Sequence, residues 1–326
     1  NIPELDGLLK GPSRVELSAR RDQTGTELRR LTLTATSLSA TAQGRIASTG
    51  ADLTADLAFA DLSVMGVRYG GALAGKARLT GTLTEGNATL DATGTGLRVG
   101  QAEADKLLSG QSNVALELAL KDGAVQVQRA EVSNAQLRAS ATGALTAGVQ
   151  TLDITARLAN LGLILPEFPG PLTVEGKVSQ QAAGTEMRLV GKGPGGIDAV
   201  LSGRLASDFA SGDLSLKGKA QAALANAFIG SRSVQGGVGF DLRMNGPLAL
   251  SSLSGAVNLA EGRLSYPALT FALQGIAARA DLGGGRMVLD ATLPVTSGGS
   301  IALAGSVGLT APFAGDLTVG LRSVTL

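Results

Sequence analysis

A strict alternation of apolar and polar residues is the feature that most constrains this chain. Between residues 75 and 100 it gives two runs separated by a turn predicted at Glu85-Gly86-Asn87. In the first run, one side carries Ala77, Leu79, Gly81 and Leu83, and the other carries Lys76, Arg78, Thr80 and Thr82. Successive side chains of a β-strand point to opposite faces, so a period of two predicts strands with one apolar face. The two runs therefore predict an antiparallel hairpin.

The same alternation recurs along the whole chain and is interrupted by glycine-containing turns. Tight turns are predicted at Asp122-Gly123, Glu261-Gly262 and Gly283-Gly284-Gly285, because glycine adopts positive φ without steric cost. At about 12 residues for a strand and its turn, 326 residues predict roughly 27 strands. We predict an all-β fold: an elongated, curled antiparallel sheet forming a groove, with a few short helical turns.

Loose internal repeats are indicated by segments in which an apolar turn and a glycine precede a strand. They are LDGLLKGPSRVELSA at 5–19, ADKLLSGQSNVALELAL at 104–120 and ALANAFIGSRSVQGGVGFDLRM from 223. We predict one elongated β-repeat segment over residues 1–326, belonging to a longer protein, with sub-repeats starting near 1, 101, 161 and 221.

Several classes of function are excluded or disfavoured by composition. The chain has no His and no Cys, which excludes Ser-His-Asp and Cys-His catalysis and zinc sites built on those ligands. A formal net charge of +1 provides no positive electrostatic potential that would attract the phosphates of nucleic acid. The sequence contains no uninterrupted apolar run long enough to read as a membrane helix. We predict no enzyme activity, catalytic residue, metal or cofactor, and no nucleic-acid partner.

Three local features resemble binding motifs but have simpler interpretations. Residues 191–196, GKGPGG, match the dinucleotide fingerprint by letter, but a strand-like run follows instead of a helix, which favours a hairpin loop. The apolar cluster at 161–172 is a candidate docking patch or groove mouth, although its prolines favour a strand that ends there. The pairs Arg20-Arg21 and Arg29-Arg30 are candidates for binding lipid headgroups or an acidic partner, but solvated hairpin ends are favoured.

The apolar stripes are the only feature extensive enough to carry a function. A membrane β-barrel requires aromatic girdles, whereas the chain has only two Tyr and seven Phe. A fully packed interior requires bulky residues, whereas these stripes mix Leu and Val with Ala, Gly and Thr. This composition favours an apolar groove filled partly by lipid. The predicted lining residues are Leu79, Leu83, Leu90, Leu116, Leu118, Leu289, Leu303, Leu317 and Val319.

The glycine-punctuated strands also resemble a known family. Blocks such as LSGAVNLAEGRLSYPALTFALQGIAARADLGGGRMVLDATLPVTSGGSIALAGSV at 253–307, and the LLxG turn before a strand, resemble the TamB/AsmA-like family of bacterial envelope proteins. The resemblance implies a β-taco fold and a periplasmic location, with the full-length protein anchored in the inner membrane. It further implies phospholipid transport to the outer membrane and partnership with the outer-membrane protein TamA, through regions outside this segment.

Two alternatives remain open at this stage. The first is a scaffold whose sheet edges template strands of outer-membrane β-barrel proteins during their insertion with TamA. The second is a right-handed β-helix acting on polysaccharide, which requires long loops with clustered carboxylates. Hairpin turns argue against this second alternative, because they indicate antiparallel neighbours.

Overall fold

The chain folds into two compact units, Asn1–Ala159 and Asn160–Leu326, and each is described by itself. The computed structural model describes residues 12–82, 84–146, 149–227, 232–266 and 273–324. The boundary between the units lies beside the sub-repeat predicted to start near residue 161.

Unit 1 is a meander of ten strands in which each strand pairs antiparallel with the next along the chain. The strands are β1 (Arg14–Asp22), β2 (Gly25–Thr34), β3 (Leu38–Ala47), β4 (Gly50–Phe59), β5 (Gly70–Gly81), β6 (Glu85–Arg98), β7 (Gln111–Lys121), β8 (Ala124–Ser133), β9 (Leu137–Thr146) and β10 (Val149–Leu158). A 3-10 turn (Leu62–Met65) links β4 to β5, and a short helix α1 (Ala102–Leu107) links β6 to β7.

Unit 2 repeats this meander with ten further strands. They are β11 (Leu172–Gln181), β12 (Gly184–Gly193), β13 (Ile197–Leu205), β14 (Ser211–Gln221), β15 (Ser233–Pro247), β16 (Leu253–Ser265), β17 (Leu273–Gly283), β18 (Arg286–Pro294), β19 (Ser300–Gly308) and β20 (Gly315–Arg322). Single 3-10 turns lie at Leu161–Leu163, Pro194–Gly196, Ala222–Ala227 and Leu250–Ser252.

The predicted fold class is confirmed: the protein is all-β, and its sheet is antiparallel, curled and open, with only short helical turns. The described residues contain 20 strands rather than the roughly 27 expected from 12 residues a strand. Strands of up to 15 residues and connections such as 99–110 use more chain for each hairpin than the estimate allowed.

The predicted glycine turns are confirmed where the glycine lies between two strands and are wrong where it lies within a strand. Asp122-Gly123 and residues 283–285 lie at hairpin turns. In GKGPGG, residues 191–193 end β12, and residues 194–196 form the 3-10 turn that connects it to β13. The turn predicted at Glu85-Gly86-Asn87 lies inside β6, because Gly86 pairs with Gly81 and the chain reverses between Gly81 and Glu85. Glu261-Gly262 also lies inside a strand, β16, at a point where its pairing with β17 is irregular.

Of the predicted apolar turns and the proline-rich strand, some are confirmed by the structure and one is wrong. The apolar turn near 104–110 overlaps α1, and the one from 223 overlaps the 3-10 turn Ala222–Ala227. The apolar turn at 5–11 lies outside the described residues. The strand favoured at 161–172 is wrong: this segment is a 3-10 turn and loop, in which the Asn160 side chain accepts hydrogen bonds from the N–H groups of Gly162 and Gly170.

Most of the buried apolar residues lie at one rim of each meander. In unit 1, Leu107, Leu108 and Leu158 are buried at the rim that carries the longer connections. Asn134 ties that rim together, since its amide donates to the carbonyl of Leu107 (2.8 Å) and the hydroxyl of Ser112 (2.9 Å). In unit 2, Leu273, Ile276 and Val295 form a small core at the start of β17 and just after β18, with Leu264 and Leu293 packed against it. The opposite rim of unit 1 carries tight hairpins.

The protein exposes far more surface than its mass requires. Its accessible surface is 19315 Å², whereas two compact globules, each with half of this mass, would together expose about 15,000 Å². Only eleven apolar residues of the described part are buried. Each unit is thus a sheet with two accessible faces, and pairing between strands supplies most of its order.

Close approach between strands makes Gly203 a sensitive position. Its φ is +134°, and a Cβ there would lie 2.1 Å from the backbone carbonyl oxygen of Asp213. We expect Gly203→Ala to lower the free energy of unfolding by about 2 kcal/mol or more, because the strands must separate and the backbone is strained. Urea unfolding followed by far-UV circular dichroism measures the change.

Gly237 in β15 provides the matched control, since a Cβ added to this glycine would have nothing within 4 Å of it. Gly237→Ala is expected to be neutral or slightly stabilising, because alanine restricts the unfolded chain more than glycine does. Equal destabilisation by both substitutions would contradict the assignment of Gly203 as a close-contact position.

Candidate functional site: the apolar sheet faces

Pairing register arranges the apolar side chains of unit 1 into continuous rows. Residues directly opposite each other in an antiparallel pair share a face, so a row can be followed from strand to strand. The Leu116 row crosses all ten strands without a polar residue. Its members are Leu17, Leu31, Ala42, Ala55, Ala77, Leu90, Leu116, Ala130, Ala141 and Ile154.

Two neighbouring rows on the same face are equally uninterrupted. The Val114 row contains Val15, Leu33, Ala40, Leu57, Gly75, Ala92, Val114, Val132, Ala139 and Ala156. The Leu118 row contains Ala19, Leu28, Gly44, Leu53, Leu79, Ala88, Leu118, Val127, Gly143 and Leu152. Together the three rows form an apolar band across the unit.

Unit 2 has the same construction. The Leu216 row contains Gly176, Leu189, Leu201, Leu216, Leu242, Gly255, Leu282, Met287, Val307 and Gly315. The Gly218 row contains Val174, Gly191, Ala199, Gly218, Phe240, Val257, Ala280, Leu289, Gly305 and Leu317. A third row runs from Ala220 through Leu303 to Val319.

β-Bulges keep the rows continuous where the sequence loses its period of two. Leu28 and Leu31 are three residues apart, yet both lie on the apolar face, because Leu28 pairs with Gly44 and Leu31 with Ala42. The extra residue is accommodated at Arg29-Arg30. The same correction occurs in β8, where Val127 pairs with Gly143 and Ala130 with Ala141. A bulge absorbs one residue and therefore restores the facing of the next side chain.

The apolar face is more sheltered than the polar face, although no second layer among the described residues covers it. Alanines allow a comparison between equal side chains: Ala55 and Ala77 on the apolar face are half-buried, whereas Ala58 and Ala74 on the opposite face are exposed. Curling of the sheet and the neighbouring Leu and Val side chains account for this difference. The face is therefore partly shielded from water but accessible to a ligand.

The predicted lining residues fall on these faces. In unit 1, Leu90 lies opposite Leu116, and Leu79 and Leu118 both lie opposite Ala88. In unit 2, Leu289 and Leu317 both lie opposite Gly305, and Leu303 lies opposite Val319. Leu79, Leu317 and Val319 are 49%, 53% and 61% exposed, and the others are half-buried. Leu83 lies outside the described residues.

The middle of the unit 2 face is not among the predicted lining residues. Val238, Phe240, Leu242 and Met244 of β15 lie on this face, with Leu214 and Leu216 of β14 beside them. Alternation in the run GVGFDLRM carries the signal. The pattern predicts this run as the strand that follows the apolar turn from 223, but its residues are not among the predicted lining residues.

The opposite face carries charged side chains that pair with one another. Four of these ion pairs are Asp52–Arg78 (2.9 Å), Asp56–Lys76 (3.0 Å), Glu131–Arg129 (2.8 Å) and Asp241–Lys217 (2.9 Å). Most of these side chains are more than 40% exposed, so solvent screening leaves each pair only a small contribution to stability. A depression of about 490 Å³ on this face is lined by Lys76, Asp91, Arg129 and Glu131.

Hydrogen bonds from arginine lower the pKa of two carboxyl groups on this face. Arg129 donates to Glu131 and lowers its pKa below the ordinary value, and the pKa of Arg129 is raised in turn. Arg279 donates to Asp281 (2.8 Å) and likewise lowers the pKa of that carboxyl. Both shifts favour the charged forms, which is the behaviour of a solvated ion-pair surface and not of a general acid or base.

The described residues indicate no metal site. They contain no cluster of three acidic side chains that could hold a metal ion. In the same parts of the chain, none of the helices has the length and hydropathy needed to cross a bilayer. Comparison with known proteins found no match to a family model, a curated protein or a solved structure.

Acid should remove the contribution that the Asp281 carboxylate makes to the stability of the fold. A carboxyl whose pKa is lowered by folding stabilises the fold above its unfolded pKa of about 3.9, and this contribution is lost as the pH falls through the folded pKa. We expect Asp281→Asn to lower the urea midpoint slightly at pH 7 and to leave it unchanged near pH 2. The effect should also shrink in about 1 M salt. A difference of equal size at both pH values would refute this role.

Proposed function

We propose that this protein conducts phospholipid along the apolar faces of its sheets, in the periplasm between the inner and outer membranes. The observation that carries the proposal is the uninterrupted course of the apolar rows across ten strands, which no layer of the described residues covers. The resemblance of the strand repeats to TamB/AsmA-like proteins supports the same function.

The dimensions of the apolar band suit hydrocarbon chains. Ten strands at about 4.8 Å spacing give a row about 43 Å long, and three rows two residues apart span about 13 Å. One bilayer leaflet has a hydrocarbon thickness of about 15 Å. The band of one unit is therefore long enough to hold an acyl chain at several successive positions.

Energetics favour movement along such a band. Exposing about 16 methylenes to water costs on the order of 13 kcal/mol, at ~0.8 kcal/mol for each methylene. An apolar row offers contact at every strand, so a chain can advance without passing fully into water. The charged face, whose ion pairs are already satisfied among themselves, remains in contact with solvent. No catalytic residue is required by this mechanism.

The proposal is tested by placing the same charge on opposite faces. Leu116→Lys introduces an ammonium group between Leu90 and Ala130, whereas Ala115→Lys introduces it between Asp91 and Glu131 on the charged face. We expect Leu116→Lys to reduce co-purifying phospholipid and vesicle-to-vesicle transfer of fluorescent phospholipid roughly tenfold, because an unpaired charge in an apolar environment is costly. Ala115→Lys should retain both activities.

Photo-crosslinking provides an independent measurement. A photoreactive side chain at Leu90 should capture phospholipid, whereas one at Asp91 on the other face should not. Protein without lipid after gentle purification, or equal capture at both positions, would overturn the proposal. The strand-templating alternative makes the opposite prediction, since binding of unfolded β-barrel strands to a sheet edge would be indifferent to Leu116→Lys.

A further inference from the structure

An exposed apolar tip lies at the rim of unit 1 that carries the longer connections. In the connection between β4 and β5, Met65, Val67 and Tyr69 are 44%, 100% and 45% exposed, and Val99 in the next connection of this rim is 42% exposed. We call these four residues the apolar tip. The strands on either side of them pair with neighbours along both edges, so a free sheet edge does not account for their exposure.

Two carboxylates hold the connections that form the apolar tip. Asp61 accepts hydrogen bonds from the backbone N–H (2.9 Å) and the hydroxyl (2.7 Å) of Ser63. Asp105 of α1 accepts a hydrogen bond from the backbone N–H of Val99 (2.7 Å). These polar groups are thus bonded within the connections, whereas the apolar side chains of the tip face solvent.

Four basic side chains at the same rim form no ion pair with any described residue. They are Arg68, Arg98, Lys106 and Arg157. The two connections of the apolar tip contain three acidic residues, of which Glu103 alone accepts no hydrogen bond from the described residues. The rim therefore presents more unpaired positive charge than negative charge to the solvent.

A pair of like charges at this rim also calls for an anion. Arg157 lies directly opposite Arg138, one residue from the end of the β9–β10 pair, and like charges in this position destabilise a sheet. The side chain of Arg138 is 75% exposed and lies 3.9 Å from Glu131, which is already bound by Arg129 at 2.8 Å. The repulsion is therefore not cancelled within unit 1, and an anionic surface would reduce it.

We propose that this rim of unit 1 docks on the surface of a bilayer that contains anionic phospholipids. The apolar tip enters the boundary between headgroups and acyl chains, where Tyr is favoured, and the long basic side chains reach the phosphates around it. Binding combines buried apolar area with attraction of the cations to anionic lipid. The inference goes beyond the proposed transport and requires no movement of lipid along the apolar face.

The spread of the charges favours a surface over a single small anion. Five steps of about 4.8 Å from β5 to β10 place Arg157 about 24 Å along the rim from Arg68. A phosphate or sulfate ion spans a small part of this distance, whereas the headgroups of a leaflet occupy all of it. An anionic leaflet therefore accommodates the unpaired cations and the apolar tip together.

Charge reversal tests the docking by co-sedimentation of the intact chain with vesicles of phosphatidylcholine and phosphatidylglycerol. Arg157→Glu should reduce the vesicle partition coefficient about tenfold or more, yet the urea midpoint should not fall, because the new carboxylate lies opposite Arg138. Lys121→Glu makes the same change of charge at the opposite rim and should leave the partition coefficient within about twofold of the wild-type value. About 0.5 M salt should release the wild-type protein.

Tryptophan fluorescence tests whether the apolar tip enters the bilayer. The chain has no Trp, so Val67→Trp supplies a single fluorophore at the tip. With the same vesicles its emission should shift to shorter wavelength, and brominated phosphatidylcholine should quench it. Val149→Trp, at an exposed position on the charged face of the opposite rim, should show neither effect.

Equal partition into vesicles of phosphatidylcholine alone would overturn the proposal. Equal spectral shifts at the two tryptophans, or equal weakening by the two charge reversals, would do the same. Docking and transport fail separately. A wild-type chain that transfers lipid without binding these vesicles would refute docking alone, whereas one that binds them without transferring lipid would refute transport alone.

Discussion

Antiparallel strand register is the constraint on which the rest of the structure depends. Because side chains alternate, a slip of one residue in any pair would turn a whole strand's apolar side chains to the charged face. In unit 1 nine successive pairings preserve the facing, and the Leu116 row stays apolar throughout. Since no layer of the described residues covers the face and corrects errors, the pairings themselves must carry this order.

Glycines and bulges are the means by which the register is kept. At Gly44, a side chain would lie 2.0 Å from the carbonyl oxygen of Asp52, so this position in β3 admits only glycine. The bulge at Arg29-Arg30 returns Leu31 to the face of Leu28. The high glycine content therefore serves pairing within strands as well as the turns between them. An apolar face results that is continuous over ten strands but filled by small residues at many positions.

The small side chains in the apolar rows make the apolar surface uneven. Ala and Gly are interspersed with Leu and Val along each row, which leaves relief on the surface that a flexible hydrocarbon chain can fill. The chain has no His and no Cys, and its described residues hold no acidic cluster, which directs attention to this surface as a whole instead of to any single residue. Its properties are collective, so one introduced charge is expected to matter more than one removed methyl group.

Local alternation was enough to predict the all-β class, the antiparallel pairing and the shared face of Leu90, Leu116 and Leu118, because side-chain direction in a strand depends only on the period of two. The sequence did not indicate that Glu85 begins a strand or that residues 161–171 form a turn and loop. Any register displaced by two residues satisfies the same alternation. Only close approach between backbones and the pairing of complete strands selected one register, and with it the neighbours of each side chain.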